Sequence, residues 1–258
     1  MSLKGFMEEA YGGQVRSRRL ERRKGTVVLS LKEISDKLES RPEKVDVARL
    51  APKGALLARL ISLVPEGKRE ALIWGYLTSI AAEGSLEPVE VTGGDYAGLE
   101  LARGRLFIDG AGDHIGEGMK GGLIRVRGRS GHYLGQGMSG GGIVAGSSGD
   151  YAFRNISGGW GVILGDSGSY LGLGNSGGRV VVKGRAGQRV GWLMHSGRLR
   201  VGGDVGDYLG LMMSGGRISV GGCAGARAGW RMRGGKIEAA CYGPEACGDG
   251  RILGGEDS

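Results

Sequence analysis

Between residues 104 and 250, hydrophobic and polar positions alternate in short runs that return every 18 or 19 residues. In each run the second and fourth residues are almost all aliphatic, whereas the first and third are mostly charged. This period of two, with β-branched residues on one side, predicts a strand with one buried face. The eight runs follow Gly104, Gly122, Gly141, Gly159, Gly178, Gly197, Gly216 and Gly235.

The second half of each copy carries glycines at fixed offsets, which predicts positive φ or close backbone approach at the corners of a coil. A unit this short cannot bury its own apolar face, so each copy must pack on the next. We therefore predict a mainly β protein, a single-stranded parallel β-helix of about seven to eight turns of 18–19 residues. Stacking at about 4.8 Å per rung makes this solenoid roughly 40 Å long.

One column of the predicted interior is rich in methionine: Met119, Met138, Ile156, Asn175, Met194, Met213 and Met232. Flexible methionine side chains suit a core wall whose backbone is irregular. Asn175 is the polar exception in this column. We expect its amide to bond to backbone groups of the corner, because an unpaired buried amide would cost about 1 to 3 kcal/mol.

An outward column combines aromatic and basic side chains: His114, Tyr133, Tyr151, Tyr170, Arg189, Tyr208 and Arg227. We expect these side chains to stack on one another over a glycine-rich surface. A platform for a ligand or a nucleic acid is the alternative.

The glycine content divides the chain into two regions. Residues 1–93 hold 9 of the 57 glycines, and the composition changes at this point. We therefore assign 1–93 to an N-terminal region and 94–258 to the solenoid. The N-terminal region is expected to contain a basic arm within residues 1–25, a strand over 26–31 and amphipathic helices.

The N-terminal helices are delimited by prolines and a glycine. Pro52 and Pro65 mark breaks in the helical pattern, and Gly84 ends the last helix. Two or three helices of this size have little core of their own. We expect them either to cap the first rung of the solenoid or to cover one of its sides.

The two ends of the solenoid are expected to be irregular. Residues 99–101 suggest an early, irregular strand, and residues 241–248 the last turn and its cap. Three cysteines lie near the second end: Cys223, Cys241 and Cys247. Their odd number and the lack of CxxC spacing argue against a structural zinc site, and a disulfide among them stays open.

The glycine strings carry a resemblance. Gly-x-x-Gly-x-x-x-Gly recurs with Gly-Met-x-Gly-Gly, as at residues 118–122 and 137–141. In this respect the chain resembles the GXGXG domain family over about residues 94–250. That family includes the C-terminal domain of the glutamate synthase large subunit and one of the subunits of formylmethanofuran dehydrogenase. The resemblance implies a right-handed β-helix that holds together the catalytic parts of an oxidoreductase. It implies no catalytic residue and no cofactor here.

The net charge of +8 is spread along the chain, apart from a basic cluster at residues 16–24. Nucleic acid is therefore not the expected partner. The sequence has neither a run of about 18 apolar residues nor the apolar core of a secretory signal, so we expect a soluble, cytoplasmic protein without membrane contact. Only two asparagines and three glutamines accompany 35 Lys and Arg, a composition typical of a heat-adapted source.

Ser139 and Ser176 lie in strings that fit the G-x-S-x-G pattern of a nucleophile elbow. That motif needs a buried strand leading into a helix, with an acid and a histidine behind it, whereas these serines fall in predicted corners. The histidines are interpreted as surface residues: His114, His132 and His195. Three aspartates in one column are expected to make hydrogen bonds in turns: Asp113, Asp150 and Asp207.

Near the middle of the solenoid the outward positions become apolar, at Phe107, Val144, Trp160, Val162, Leu164 and Val181. Such a surface on a rigid rod should be covered, so we predict that the N-terminal helices or another subunit bury it. The preferred function is a non-catalytic scaffold in an oxidoreductase assembly, whose partners are catalytic subunits or further copies of this chain. A serine hydrolase using Ser139 or Ser176 and a self-associating nucleic-acid binder are the alternatives.

Overall fold

The computed structural model describes residues 30–38, 42–110, 112–246 and 251–252. In this part of the chain, four helices precede a parallel β-solenoid. The helices are α1 (Leu31–Asp36), α2 (Lys44–Leu50), α3 (Ala55–Ile61) and α4 (Lys68–Glu83). The strands are β1 (Val89–Thr92), β2 (Arg105–Asp109), β3 (Leu123–Arg129), β4 (Gly142–Ser147), β5 (Trp160–Ile163), β6 (Ser176–Val182), β7 (Ser196–Val201), β8 (Arg217–Val220), β9 (Cys223–Ala224), β10 (Lys236–Glu238), β11 (Cys241–Tyr242) and β12 (Arg251–Ile252).

One sheet runs along the whole solenoid. Its ten strands pair in parallel and in chain order, from β1 to β8 and then β10 and β12. Each predicted run forms a strand of this sheet, and neighbouring runs pair in the predicted register. Leu106 lies opposite Ile124, for example, and Ile124 lies opposite Ile143. All three side chains are buried in the core. The predicted parallel β-solenoid is therefore confirmed.

Two further segments complete each coil. A short parallel run continues from rung to rung through single bridges, as between Ser148 and Ser167, and ends in the pair β9 and β11. The glycine-rich segment that follows it is also hydrogen-bonded between rungs. The amide of Gly135, for example, donates to the carbonyl of Ile115 at 2.8 Å. This irregular backbone can line the core because its polar groups are paired. The methionine column is buried, as predicted.

Asn175 makes the hydrogen bonds expected of a buried amide. Its Nδ2 donates to the carbonyl of Gly178 at 3.1 Å. Its Oδ1 accepts from the amides of Gly177 and Gly178 at 3.0 and 2.9 Å. The side chain is fully buried and holds the corner before β6 closed.

One coil departs from the repeat in the core. Where other copies place a positive-φ glycine, such as Gly135 or Gly172, this coil has Phe153 with a φ of 56°. The buried ring fills the space left by Gly161, which interrupts the aliphatic inward column. A Cβ on Gly161 would lie only 2.1 Å from Cζ of Phe153. In this coil Phe153 is larger and Gly161 is smaller than the residues at the same positions of the other coils. The ring of Phe153 therefore fills the space beside Gly161, and the interior stays close-packed.

The helix α4 closes the first end of the solenoid. Its Leu77 is buried in the same core as the first coil, and the Ser79 hydroxyl donates to the carbonyl of Leu99 at 2.7 Å. The contact is so close that a Cβ on Gly75 would lie 2.4 Å from the Tyr96 carbonyl oxygen. Of the two predicted positions for the helices, capping the first rung is the observed one.

The N-terminal breaks are confirmed, because α2 ends before Pro52 and α4 ends before Gly84. The strand predicted over 26–31 is wrong at its end, where Ser30 caps α1. The Ser30 hydroxyl accepts from the amide of Glu33, and the Glu33 carboxylate accepts from the amide of Ser30. This reciprocal capping favours a helix start over a strand. Residues 26–29 and the basic arm lie outside the described residues.

The early strand predicted at residues 99–101 is also absent. Leu99 lies in a turn, and Glu100 has a φ of 51°, which is outside the range of a strand. Tyr96 and Gly98 likewise have positive φ, so this segment repeats the conformation of the later glycine-rich segments. The apolar side chains of Leu99 and Leu101 are still buried, because the turn directs both into the core.

Near the second end of the solenoid, a disulfide joins Cys223 and Cys241, whose Cα atoms are 4.5 Å apart. The two cysteines occupy facing positions of β9 and β11, so the bond joins neighbouring rungs. Cys247 lies outside the described residues. Every helix in the described part of the chain is too short or too polar to cross a bilayer.

Candidate functional site

The outward side chains of β2 to β8 form one continuous surface, here called the sheet face. Its middle is apolar. Val144, Val162 and Val181 lie opposite one another on β4, β5 and β6. Trp160 and Leu164 flank Val162 and remain 42% and 50% exposed. These five residues are called the apolar strip: Val144, Trp160, Val162, Leu164 and Val181.

Phe107 was predicted to belong to the same surface but is separated from it. In the central outward column Phe107 lies opposite Arg125, and Arg125 lies opposite Val144. An exposed guanidinium therefore stands between Phe107 and the apolar strip. The structure brings five of the six predicted residues together.

The indole of Trp160 lies against the neighbouring strand. A Cβ on Gly142 would lie 2.2 Å from Cζ2 of Trp160, so the ring occupies the place of an outward side chain on β4. One face of the indole is thus covered, and the rest of the ring faces outward. The glycine at this position explains how a large aromatic group lies flat on the sheet face.

The four described helices, α1 to α4, do not cover the apolar strip. They close the end of the solenoid beside β1 and β2, whereas the strip lies on β4 to β6. Trp160 and Leu164 are therefore exposed among the described residues, and burial of the strip by another subunit stays a prediction.

Basic side chains border the apolar strip on both sides. Arg179, Arg198 and Arg217 lie opposite one another on β6, β7 and β8 and line an open groove of about 380 Å³. We call these three residues the basic column. Arg200 stands beside it, opposite Val181. On the other side, β3 presents Arg125 and Arg127.

The carboxylates on this face are few. The first, third and fifth positions of the runs that form β2 to β8 carry one exposed acid, Asp109, and the following exposed bases: Arg105, Arg125, Arg127, Arg179, Lys183, Arg198, Arg200 and Arg217. Within the described residues, no carboxylate forms an ion pair with Arg179, Arg198 or Arg200. The sheet face therefore combines an uncovered apolar centre with unneutralised positive charge.

A second surface is formed by the aromatic ladder: Tyr96, His114, Tyr133, Tyr151, Tyr170, Arg189, Tyr208 and Arg227. The first five rings stack at centroid distances of 4.8, 4.7, 5.0 and 4.5 Å, with planes within 14° of parallel. All eight residues have φ between 58° and 64°. The predicted stacking is confirmed, and the structure adds Tyr96 to the column.

The arginines of the aromatic ladder are also engaged. The guanidinium of Arg189 lies between the rings of Tyr170 and Tyr208, 5.4 and 5.5 Å from their centroids. It donates to the Tyr170 hydroxyl at 2.8 Å. Arg227 pairs similarly with Tyr208, to whose hydroxyl it donates at 2.6 Å. Neighbouring side chains of the ladder therefore supply each other's ring-stacking, cation–π and hydrogen-bond partners.

Two tyrosines have a raised pKa, Tyr76 on α4 and Tyr151 in the aromatic ladder. Burial, followed by the negative charge of Glu100, raises the pKa of Tyr76 from its ordinary value of 10 to about 12. The Tyr76 hydroxyl lies 3.3 Å from Oε1 of Glu100. In the ladder, burial raises the pKa of Tyr151, and the neighbouring Tyr170 and Tyr133 add to the effect.

An apolar patch beside the C-terminal half of the aromatic ladder was missed from the sequence. Leu193 and Met212 are 36% and 38% exposed and follow the half-buried Trp192 and Leu211. The repeat spacing of Trp192, Leu211 and Trp230 was a signal that could have revealed it. In the earlier copies the position of Trp192 holds a polar residue, apart from Leu173, and the position of Leu193 holds glycine or asparagine.

The candidate serines do not form a catalytic triad among the described residues. The Ser176 hydroxyl donates to the carbonyl of Ile156 at 3.3 Å, and Ser139 is exposed at a corner. The sequence also missed a contact of 2.8 Å between Nδ1 of His195 and Oγ of Ser214. No described carboxylate lies within ion-pair distance of His195, so the third member of a triad is not in place.

The remaining polar candidates hold rungs together. Asp113, Asp150 and Asp207 accept backbone hydrogen bonds from the next rung at 2.7 to 2.8 Å. His132 Nδ1 accepts in the same way from the amide of Asp150 at 3.0 Å. His114 Nδ1 contacts Oε2 of Glu117 at 2.6 Å. The described residues contain no cluster of three or more His, Cys, Asp or Glu side chains suited to a metal ion.

No protein-family model matches the chain, and no curated protein matches it.

Proposed function

We propose that this protein is a non-catalytic scaffold, a β-solenoid subunit or domain of a cytoplasmic, multi-subunit oxidoreductase. The observation that carries the proposal is the apolar strip, which the described residues of the chain leave open on β4 to β6. Apolar patches of this kind on a folded protein mark contact with another protein. The resemblance of the glycine repeat to the GXGXG family supplies the class of assembly.

The mechanism of such a scaffold is positional. Every coil is hydrogen-bonded to the next along the sheet, the short parallel run and the glycine-rich segment. A rod stacked in this way fixes the distance between whatever binds at different rungs. The aromatic ladder adds stiffness on a second surface through continuous stacking. Catalytic subunits or further copies of this chain are the partners.

The first test is purification from the native source, followed by size-exclusion chromatography and mass spectrometry of the fractions. We expect this chain to elute in a complex with subunits of an oxidoreductase. A chain that remains alone at its natural concentration would contradict the scaffold role.

A matched pair of variants connects this test to the site. Leu164→Asp places a charge at the edge of the apolar strip, and we expect it to release the chain from the complex. Leu86→Asp changes an isolated leucine that is 95% exposed and should leave the complex intact. Equal retention of both variants would show that the strip is not the contact surface.

A further inference from the structure

The basic column identifies the kind of partner that the sheet face binds. We propose that an acidic amphipathic helix of a partner protein lies along the solenoid axis on this face. Its apolar side chains would pack on the apolar strip, and a row of carboxylates would pair with Arg179, Arg198 and Arg217. The inference rests on the proposed function, because it names the contact by which a scaffold would hold a partner.

The spacing of the basic column suits a helix. Successive rungs of a parallel sheet are about 4.8 Å apart. On a helix surface, side chains three or four residues apart are separated by about 5 to 6 Å. Over the two intervals of the basic column the mismatch is about 0.4 to 2.4 Å, which a flexible arginine stem absorbs. Alternate side chains of an extended strand are spaced by more than about 6 Å and fit the column less well.

The charge of the face argues against two other occupants, a second copy and the N-terminal segment of this chain. A second copy docked through a two-fold axis would place one basic border against the other, and like charges facing each other oppose association. The segment of this chain before Ser30 is also a poor fit, because residues 1–29 contain seven Lys or Arg against three Glu. An acidic partner neutralises the guanidinium groups instead.

The apolar strip favours a protein over a nucleic acid. Val144, Val162 and Val181 form an aliphatic row, with Trp160 lying flat beside it. Aliphatic side chains gain from contact with leucine or isoleucine on a helix. A phosphate backbone would gain from the arginines but would leave this row against a highly polar strand.

A synthetic helix tests the inference directly. The probe is a fluorescein-labelled peptide of about 20 residues, roughly 30 Å long when helical. It carries Glu at every fourth position beside a leucine stripe, and a scrambled peptide of equal composition is the control. Binding to the full chain is measured by fluorescence anisotropy at several salt concentrations. We expect saturable binding that weakens as salt rises, and about tenfold weaker binding of the scrambled peptide.

Paired variants locate the contact. Arg198→Glu with Arg200→Glu reverses two exposed charges on β7 and should weaken binding of the peptide by about tenfold or more. Trp160→Ala should weaken it by a similar factor. Arg231→Glu with Arg233→Glu makes the same change of net charge at exposed positions outside the sheet face and should alter binding less than about twofold. Thermal unfolding confirms that each variant is folded.

Several results would overturn the inference. These are absent binding, equal binding of the scrambled peptide, an equal loss in the two charge-reversed variants, or tighter binding of oligothymidylate of matched charge. The native complex separates this inference from the proposed function. If the native complex persists in the variant Arg198→Glu with Arg200→Glu, the proposed helix contact is wrong, whereas the proposed scaffold role is unaffected. A native chain that is found alone, although it binds the peptide, removes the scaffold instead.

Discussion

The sheet face and the aromatic ladder are built by the same repeat. The side chains of the ladder contact one another, whereas among the described residues Arg179 and Arg198 of the basic column form no ion pair and the apolar strip stays partly exposed. In the ladder, rings stack at 4.5 to 5.0 Å, and each arginine sits next to a tyrosine. On the sheet face, three arginines follow one another on adjacent strands beside an uncovered aliphatic row. Aromatic groups repeated at the rung spacing stabilise one another, whereas repeated guanidinium groups repel.

The difference separates side chains that stabilise the solenoid from side chains that are available to a partner. A column whose members pair with their own neighbours lowers the free energy of the isolated chain. A column of like charges raises it, and association with opposite charge offsets that cost. We therefore expect substitutions in the ladder to change stability, and substitutions on the sheet face to change binding.

The largest effect is expected where the two surfaces share the core. Phe153→Ala removes a fully buried ring and should destabilise the protein by about 3 to 5 kcal/mol. Gly161→Val should also destabilise it, because a Cβ there meets the Phe153 ring. Chemical unfolding of Phe153→Gly, of Gly161→Val and of the variant that combines these two substitutions measures the coupling. If volume is exchanged between the two positions, the pair costs less than the sum of its parts. Additive costs would contradict the exchange.

Within the aromatic ladder, Tyr133→Ala removes a ring that stacks on His114 at 4.7 Å and on Tyr151 at 5.0 Å. Two stacked pairs of about 0.5 to 1.5 kcal/mol each predict a loss of about 1 to 3 kcal/mol. Tyr133→Phe keeps both contacts and serves as the control, with an expected change below about 0.5 kcal/mol. A similar loss in both variants would show that the hydroxyl, rather than the stacked ring, stabilises this surface.

On α4, beside the start of the aromatic ladder, the raised pKa of Tyr76 predicts that the stability of the folded chain falls at alkaline pH. The pKa of Tyr76 is raised from 10 to about 12 in the folded chain, so folding favours the protonated hydroxyl. The stabilisation is complete below about pH 10 and is lost as the pH rises towards about 12, with a size of up to about 2 kcal/mol. Denaturant unfolding of wild type and Tyr76→Phe across this range measures the difference. A gap between the two curves that does not change with pH would refute the assignment.

The smallest effect on stability is expected on the sheet face. Val162→Ser changes a half-buried side chain in the centre of the apolar strip and should move the unfolding free energy of the isolated chain by only about 0.5 kcal/mol. The same substitution should weaken retention in the native complex. A variant that unfolds much more readily would place Val162 with the stabilising side chains and remove the contrast between the two surfaces.

Most of the fold could be predicted because a solenoid repeats its local rules. The alternation of apolar residues and the spacing of glycines located β2 to β8 and β10, and both main inward columns, including the exception at Asn175. The short strands β1, β9, β11 and β12 were not predicted. Predictions failed where local chemistry departed from the repeat. Ser30 and Glu33 form a reciprocal cap instead of ending a strand, and the backbone near Glu100 adopts positive φ although its neighbours are leucines.

The candidate site was only partly predictable. Apolar outward residues were visible in the sequence, but the separation of Phe107 from the strip depends on Arg125, which lies on the neighbouring strand. The contact between His195 and Ser214 joins two rungs and follows no local pattern. Whether the basic column is neutralised depends on which carboxylates the fold brings near it. Among the described residues, none forms an ion pair with Arg179 or Arg198.

By itself, the sequence determined the coil. Its period, the alternation within each run and the glycines at the corners leave stacking as the only way to bury so short a unit. The tertiary structure decided which side chains have partners, because pairing in a solenoid runs between rungs that are 18 or 19 residues apart. At that distance the members of the aromatic ladder pair with one another, whereas the described residues leave Trp160 and Leu164 of the apolar strip exposed and give Arg179 and Arg198 of the basic column no ion pair.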